Sequence, residues 1–178
     1  MEEFVEVAEA VEQFARHGHA FYPARQPGVG DVTVLYVGAD TYYVACNSKD
    51  FCKRLIRWFC MSEKLLLRFS YEILGQRKHA PFVLSAGLTL IPFWYPRYDN
   101  AAHRTAYVSM SSIQSYRFHS HDASVTLVLE DNHTLELPYS FQRLKKQLIH
   151  AEFVYYKFTA RIRKEAQFSP ITAEKCKN

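Results

Sequence analysis

The sequence predicts an α+β fold with an antiparallel β-sheet core of short strands, an N-terminal helix, one or two middle helices and a long C-terminal helix. Apolar residues recur at helical spacing near both ends of the 178-residue chain. Between about residues 81 and 137 the apolar period shortens to two, which is typical of short strands. Hydrophobic residues make up 48% and aromatic residues 15% of the chain, which excludes a disordered protein.

The first predicted element is an amphipathic helix over residues 2–17, followed by Gly18 as a stop signal. Its apolar residues fall at i, i+3, i+4 and i+7, and its glutamates lie in the first turns, where the helix dipole favours negative charge. A loop is predicted next, because two prolines and two glycines follow closely: Pro23, Pro27, Gly28 and Gly30.

A hairpin and two helices are predicted after this loop. Residues 32–37 and 41–45 are β-branched and aromatic and flank a short turn. Asn47 or Ser48 can cap a helix that runs to about Cys60. A second helix over 62–74, closed by Gly75, is more ambiguous, since Leu65 to Tyr71 could instead form a strand.

Six short antiparallel strands are predicted from residue 81 onward, with turns at 85–87 and 130–133 and a polar loop from Pro96 to His103. The predicted strands are 82–84, 88–93, 105–110, 113–118, 125–129 and 134–137.

The last predicted element is a helix from about Ser140 to Ala166 with apolar residues at alternating spacings of 3 and 4. This stripe is either a dimerisation seam or the face by which a long helix lies across the sheet. The seam residues would be Leu144, Leu148, Tyr155 and Phe158. Residues 1–166 then form one domain, and residues 167–178 form a flexible tail.

Charge is distributed unevenly along the chain. Five of the 18 acidic residues lie in the first 12 positions, which hold no Lys or Arg, so the remaining chain has 22 basic residues against 13 acidic ones. The excess is concentrated in residues 49–78 and 141–166. A basic body favours an anionic partner such as double-stranded DNA, although a solvated basic surface gives the same pattern.

Sequence motifs of enzymes, metal sites and membrane proteins are missing. The chain has no phosphate-binding loop, nucleophile elbow or zinc-protease motif, and His17-x-His19 and His119-x-His121 lack a third ligand. We therefore expect no catalytic residue, no metal and no cofactor. The acidic start, the short apolar runs and four cysteines without a C-x-x-C motif favour a soluble cytoplasmic protein with free thiols.

Several short motifs, in a fixed order over about residues 30–160, resemble the competence transcription factor (ComK) family. The first is Lys78-His79-x-Pro81-Phe82-Val83-Leu84, followed by Leu88-x-Leu90-Ile91-Pro92-Phe93. Later come Val125-x-Leu127-x-Leu129 and Thr134-x-Glu136-Leu137-Pro138-x-Ser140, then a helix that contains Gln147. The chain has Asn132-His133 where the family has an Asn-Gly turn.

The resemblance implies a transcriptional activator of DNA-uptake genes that acts in the bacterial nucleoid. Such proteins read paired A/T-rich boxes largely through the minor groove, as dimers or dimers of dimers, and a Clp protease adaptor controls their level. One alternative is a paralogue that pairs with another regulator without binding DNA. Another is a small enzyme without a recognisable motif, which would show a deep pocket with convergent polar groups.

Candidate DNA-binding residues flank the loops of the β-rich region, because Arg and Asn are suited to the minor groove. They are Arg77, Lys78, Arg97, Tyr98, Asn100 and Arg104. Further cations on the last helix are candidates for phosphate contacts: Lys145, Lys146, Arg161, Arg163 and Lys164. The alternative for both sets is a solvated loop or helix face.

Overall fold

A computed structural model describes residues 4–76, 78–96, 104–121 and 123–167. It confirms the α+β class. The helices are α1 (Val7–His17), α2 (Ser48–Trp58), α3 (Glu63–Leu74) and α4 (Phe141–Gln167). The strands are β1 (Gly18–Gln26), β2 (Gly30–Val37), β3 (Asp40–Val44), β4 (Phe82–Ser85), β5 (Leu88–Trp94), β6 (Thr105–Ser109), β7 (Ile113–His119), β8 (Ser124–Leu129) and β9 (Thr134–Leu137).

The strands form two antiparallel sheets. The larger has the order β3-β2-β1-β6-β5-β4, and the smaller is the meander β7-β8-β9. Most neighbours are consecutive in sequence, but β1 pairs with β6 through Ala20 opposite Val108 and Phe21 opposite Tyr107. A 3-10 turn at Met110–Ser112 leads the chain from the larger sheet into the smaller one.

The loop predicted from Pro23 to Gly30 is wrong at its start, because residues 23–26 belong to β1, which begins directly at Gly18. Pro23 fits in this strand because β6 pairs with β1 only at Ala20 and Phe21. Beyond that point β1 needs just one neighbour, β2, where Pro23 lies opposite Thr33. A proline is tolerated where a strand is an edge, since no second ladder needs its missing N–H.

The predicted first helix is correct from Val7 but wrong at its start. Phe4 forms a bridge with Tyr43 of β3, and the N–H of Val5 donates to the Tyr43 carbonyl at 3.0 Å. This pairing holds the segment extended, so α1 begins only after Glu6. The tail prediction for 168–178 lies outside the described residues.

The middle helices have the predicted ends. The Asn47 side chain accepts a hydrogen bond from the Asp50 N–H at 2.9 Å and caps α2. Residues 63–74 are helical throughout, and Gly75 closes α3 with a φ of 65°. In the β8–β9 turn, Asp131 and Asn132 also have positive φ, a conformation that both residue types tolerate.

The larger sheet is buried on both faces, which produces two hydrophobic clusters. On one face α1 and α2 cover it through Phe14, Phe51 and Leu55. On the other face it packs against the smaller sheet and α4, with Leu127 and Leu144 in the contact. No helix in the described part of the chain is long and apolar enough to cross a membrane.

Candidate nucleic-acid interface

A cleft of about 420 Å³ opens between α2, α3 and the β4–β6 side of the larger sheet. Its polar rim includes Lys49, Glu63, Lys78, His79 and Thr105, and its floor is apolar. Two of the predicted DNA-binding segments therefore reach this cleft. Lys78 lines it directly, and Thr105 is the residue after Arg104.

Hydrogen bonds from the helices fix the walls of the cleft. The hydroxyl of Ser48, at the start of α2, donates to the Thr105 carbonyl at 3.2 Å and so brings Lys49 beside the start of β6. The hydroxyl of Ser70 in α3 donates to the Pro81 carbonyl at 2.6 Å. The segment between α3 and β4 is therefore anchored at its C-terminal end, close to Lys78.

Gln147 of α4 holds the same segment from the other side. Its buried amide Nε2 donates both to the His79 carbonyl and, at 3.0 Å, to the Pro92 carbonyl of β5. The amide of Gln76 donates to the Lys78 carbonyl at 2.6 Å and to the His79 carbonyl at 3.2 Å. These hydrogen bonds hold the backbone at His79, which has a φ of 53°. The exposed Lys78 side chain extends from this fixed backbone.

Two positive charges act on this segment. Burial lowers the pKa of His79, and the nearby charges of Lys78 and Arg143 lower it further. His79 is therefore neutral at pH 7, while two cations from different elements lie close to its ring. Within residues 4–76, 78–96, 104–121 and 123–167, Lys49, Lys78 and Arg143 make no ion pair with a carboxylate. Glu63 is also on the rim, so the cleft is not free of acidic charge. Cations that form no ion pair with a carboxylate are nevertheless suited to an anion-binding surface.

The other predicted DNA-binding residues lie between Tyr95 and Thr105 in the sequence, or directly before Lys78. The Tyr95 N–H donates to the Arg104 carbonyl at 2.7 Å, which closes the base of the loop. Tyr95 is buried and Arg104 is half-buried. Arg77, Arg97, Tyr98 and Asn100 lie outside the described residues.

The cations of α4 are exposed and lie on two different flanks. At about 100° per residue, one flank carries a row of five: Arg143, Lys146, Lys157, Arg161 and Lys164. Lys145 and Arg163 lie at least about 100° further round the helix. Arg143 joins the row to the cleft, because its charge acts on His79. We call this row the basic flank.

Sequence reasoning missed three contributors to this surface. Lys49 and Arg143 were grouped only with the general basic excess, and Lys157 was not selected. Helical spacing alone separates the two flanks of α4, so that signal was present in the sequence. The approach of Lys49 to Lys78 depends on the contact of Ser48 with Thr105, which no local pattern predicts.

The proposed seam residues on α4 lie mostly inside the chain. Leu144 is fully buried in the second cluster, and Leu148 packs against that cluster. Phe158 makes an edge contact with Phe69 of α3, with ring centroids 6.3 Å apart. This is the packing expected when the helix lies across the sheet.

A second cavity, of about 390 Å³, contains a buried imidazole. His19 is bonded through Nδ1 to the Ser112 hydroxyl at 2.8 Å and through Nε2 to the Asp131 carboxylate at 2.9 Å. Ser112 lies in the turn that connects the two sheets, and Asp131 lies in the β8–β9 turn, so His19 of β1 joins the larger sheet to the smaller one. Among the described residues, no group of three His, Cys, Asp or Glu side chains could hold a metal ion.

Comparison with known protein families gives one match. A family model described as ComK protein matches residues 24–163, which include every strand except part of β1, and most of α4. The matched region contains the cleft and most of the basic flank. No curated protein and no solved structure matches the chain.

Proposed function

Because the chain belongs to the ComK family of competence transcription factors, we propose that it binds double-stranded DNA through the cleft and the basic flank. The observation that carries this proposal is that Lys49 and Lys78 share the rim of one cleft and that Arg143 acts on the adjacent His79, with none of the three ion-paired in the described part of the chain. The Gln147 amide hydrogen-bonds the backbone of the segment that carries Lys78, which supports a fixed rather than an adaptable contact surface.

The basic flank supports contacts along the DNA backbone. From Arg143 to Lys164 the helix rises about 31 Å, which is the length of about nine base pairs. Two cations lie at one end of the flank and three at the other, and all are exposed. Each phosphate that a cation neutralises releases counterions, so binding through this flank depends steeply on salt concentration.

The finer proposal is that the protein activates DNA-uptake genes by reading A/T-rich boxes through the minor groove. Arg77, Arg97, Asn100 and Arg104 are the candidate readers, with Tyr98 beside them. Their residue types support this role, since Arg enters narrow A/T-rich minor grooves and Asn hydrogen-bonds base edges there. The family resemblance further suggests a homodimer or dimer of dimers, a Clp protease adaptor as partner, and a place in the bacterial nucleoid.

The test is a fluorescence-anisotropy titration of the full chain with a duplex that carries two A/T-rich boxes. A duplex with G·C substitutions is the control, and both are measured at several salt concentrations. The proposal expects tighter binding to the A/T duplex and a steep negative dependence on salt. Equal binding to both duplexes would reduce the proposal to a generic basic surface, and no binding by folded protein would refute DNA recognition by this chain alone.

One observation favours the interaction-module alternative. The side of α4 that faces away from the sheets carries Ile149, Phe153 and Tyr156, which are all exposed and fall on one ridge of the helix. Such a ridge suits a protein partner better than DNA. If this alternative holds, the partner binds with little salt dependence and is lost on substitution of Phe153.

A further inference from the structure

Strand β7 lies at the edge of the smaller sheet and is unusually exposed. In the described order β7-β8-β9, one side of β7 pairs with β8 and the other side has no neighbouring strand. Every residue from Gln114 to His119 is exposed, on both faces of the strand. A seven-residue edge therefore presents its N–H and C=O groups to a potential partner.

The hydrophobic face of the smaller sheet continues onto β7, where its side chains are exposed at the edge of the sheet. Tyr116 lies opposite Leu127, and Phe118 lies opposite Val125, and both β8 residues are fully buried. The two rings thus continue the core face of the sheet, yet they remain 41% and 46% exposed. Phe141 of α4 is also 41% exposed, and its ring centroid is 5.9 Å from that of Tyr116.

The edge carries few of the devices that normally prevent strand pairing. Proline and inward-pointing charge are both missing from Gln114 to His119, and the bulge in the β7–β8 pairing lies at the far end, between Ile113 and Ser115. Arg117 is the one Lys or Arg of the strand, and it lies on the outer face, opposite Thr126.

We propose that β7 pairs antiparallel with β7 of a second copy of the chain, across a two-fold axis at Tyr116. This register places Tyr116 opposite the partner's Tyr116 and Ser115 opposite the partner's Arg117. The aromatic rows of both copies then meet on one face, and no like charges lie opposite each other. The register shifted by one step about Arg117 would also match the faces, but it sets Arg117 against the partner's Arg117, which is unfavourable.

The small area of the aromatic surface at β7 indicates a weak, reversible dimer. A Phe or Tyr side chain has an area of about 200 Å², so the three rings leave roughly 250 Å² per copy to be covered. Two copies together cover roughly 500 Å² of ring surface, about half of what a stable interface needs, and the paired backbones and flanking side chains supply the remainder. This inference rests on the fold and does not require DNA binding.

Sedimentation equilibrium of the full chain, without DNA, tests the proposal. The wild type is expected to dimerise, and Phe118→Lys, which points a charge into the shared row, is expected to raise the dissociation constant about tenfold or more. Leu65→Lys on α3, another exposed apolar position, is the matched control and should leave dimerisation unchanged. A monomeric wild type up to about 0.5 mM, an unaffected Phe118→Lys, or loss of the dimer in Leu65→Lys would each overturn the proposal.

Disulfide formation tests the register in protein that keeps all its aromatic residues. In a background without Cys60 and Cys176, a mixture of Ser115→Cys and Arg117→Cys chains should form a linked heterodimer on mild oxidation. Directly opposed residues are about 5 Å apart at Cα, within the range of a disulfide. Ser115→Cys alone should remain unlinked. Linkage of Ser115→Cys with His119→Cys, which only the register about Arg117 places opposite each other, or no linkage in the first mixture, would refute the register about Tyr116.

Discussion

Replacing Gln147 with methionine should destabilise the protein, although the new side chain has nearly the same length and shape. The Gln147 amide donates to two carbonyls, of His79 and Pro92, and methionine can donate to neither. The Pro92 carbonyl is buried and is left without this donor, at a cost of about 1–3 kcal/mol. The His79 carbonyl keeps its bond to Gln76, so its loss is smaller, about 0.5–1 kcal/mol.

The expected total is a decrease of about 1.5–4 kcal/mol in the free energy of unfolding, measured by urea titration at constant pH. Gln142→Met is the matched control, because Gln142 lies on the same helix with its side chain exposed. That control should change stability by less than about 0.5 kcal/mol. If Gln147→Met lowers the free energy of unfolding no more than the control does, the two hydrogen bonds do not fix the backbone beside Lys78, and the proposal of a fixed contact surface is refuted.

Three further predictions concern charge, protons and thiols. Arg143→Ala should reduce the slope of the logarithm of the DNA-binding constant against the logarithm of the salt concentration by about 0.9. Lys145→Ala, on the other flank of α4, should leave this slope unchanged. Equal effects of the two substitutions would contradict DNA binding through the basic flank. The lowered pKa of folded His79 means that the unfolded chain binds its proton first, so stability should be full above about pH 6.5 and fall as the pH drops below it. His79→Asn, which tolerates the positive φ, should reduce that acid sensitivity, and an unchanged pH profile of the unfolding free energy would count against it. In a variant with Cys176 replaced, a thiol reagent at neutral pH should label the exposed Cys60 first and Cys52 only on unfolding. The reason is that burial raises the pKa of the Cys52 thiol to about 12. Early labelling of Cys52 in a peptide map would contradict its burial.

Local signals in the sequence were sufficient for most elements of the fold. The period-two segments became strands, and the cap at Asn47 and the stop at Gly75 marked helix ends, because each acts within a few residues of itself. Strand β1 was missed because Pro23, Pro27 and the following glycines indicate a loop, although its main partner β2 follows directly. Only the limited pairing with β6, which is remote in sequence, explains why Pro23 is tolerated.

The candidate site was predictable as a charge excess but not as a surface. Lys78 was selected from its place beside a predicted strand, and it does line the cleft. Lys49 joins it only through the contact of Ser48 with Thr105, and Arg143 only through the packing of α4 near His79. Such contacts join residues far apart in the chain, so no window of the sequence contains both partners.

The pairing of β1 with β6 has a consequence for the order of folding. Phe21 and Tyr107 are separated by nearly half of the chain, whereas β1–β2, β2–β3 and β4–β5 are neighbours that can form hairpins early. Closing so long a loop costs more entropy than closing a hairpin, so the joining of the two hairpin groups should limit the folding rate. During synthesis on the ribosome, the backbone edge of β1 at Phe21 must therefore wait for its second strand until β6 has emerged, although α1 and α2 can already cover the Phe21 ring.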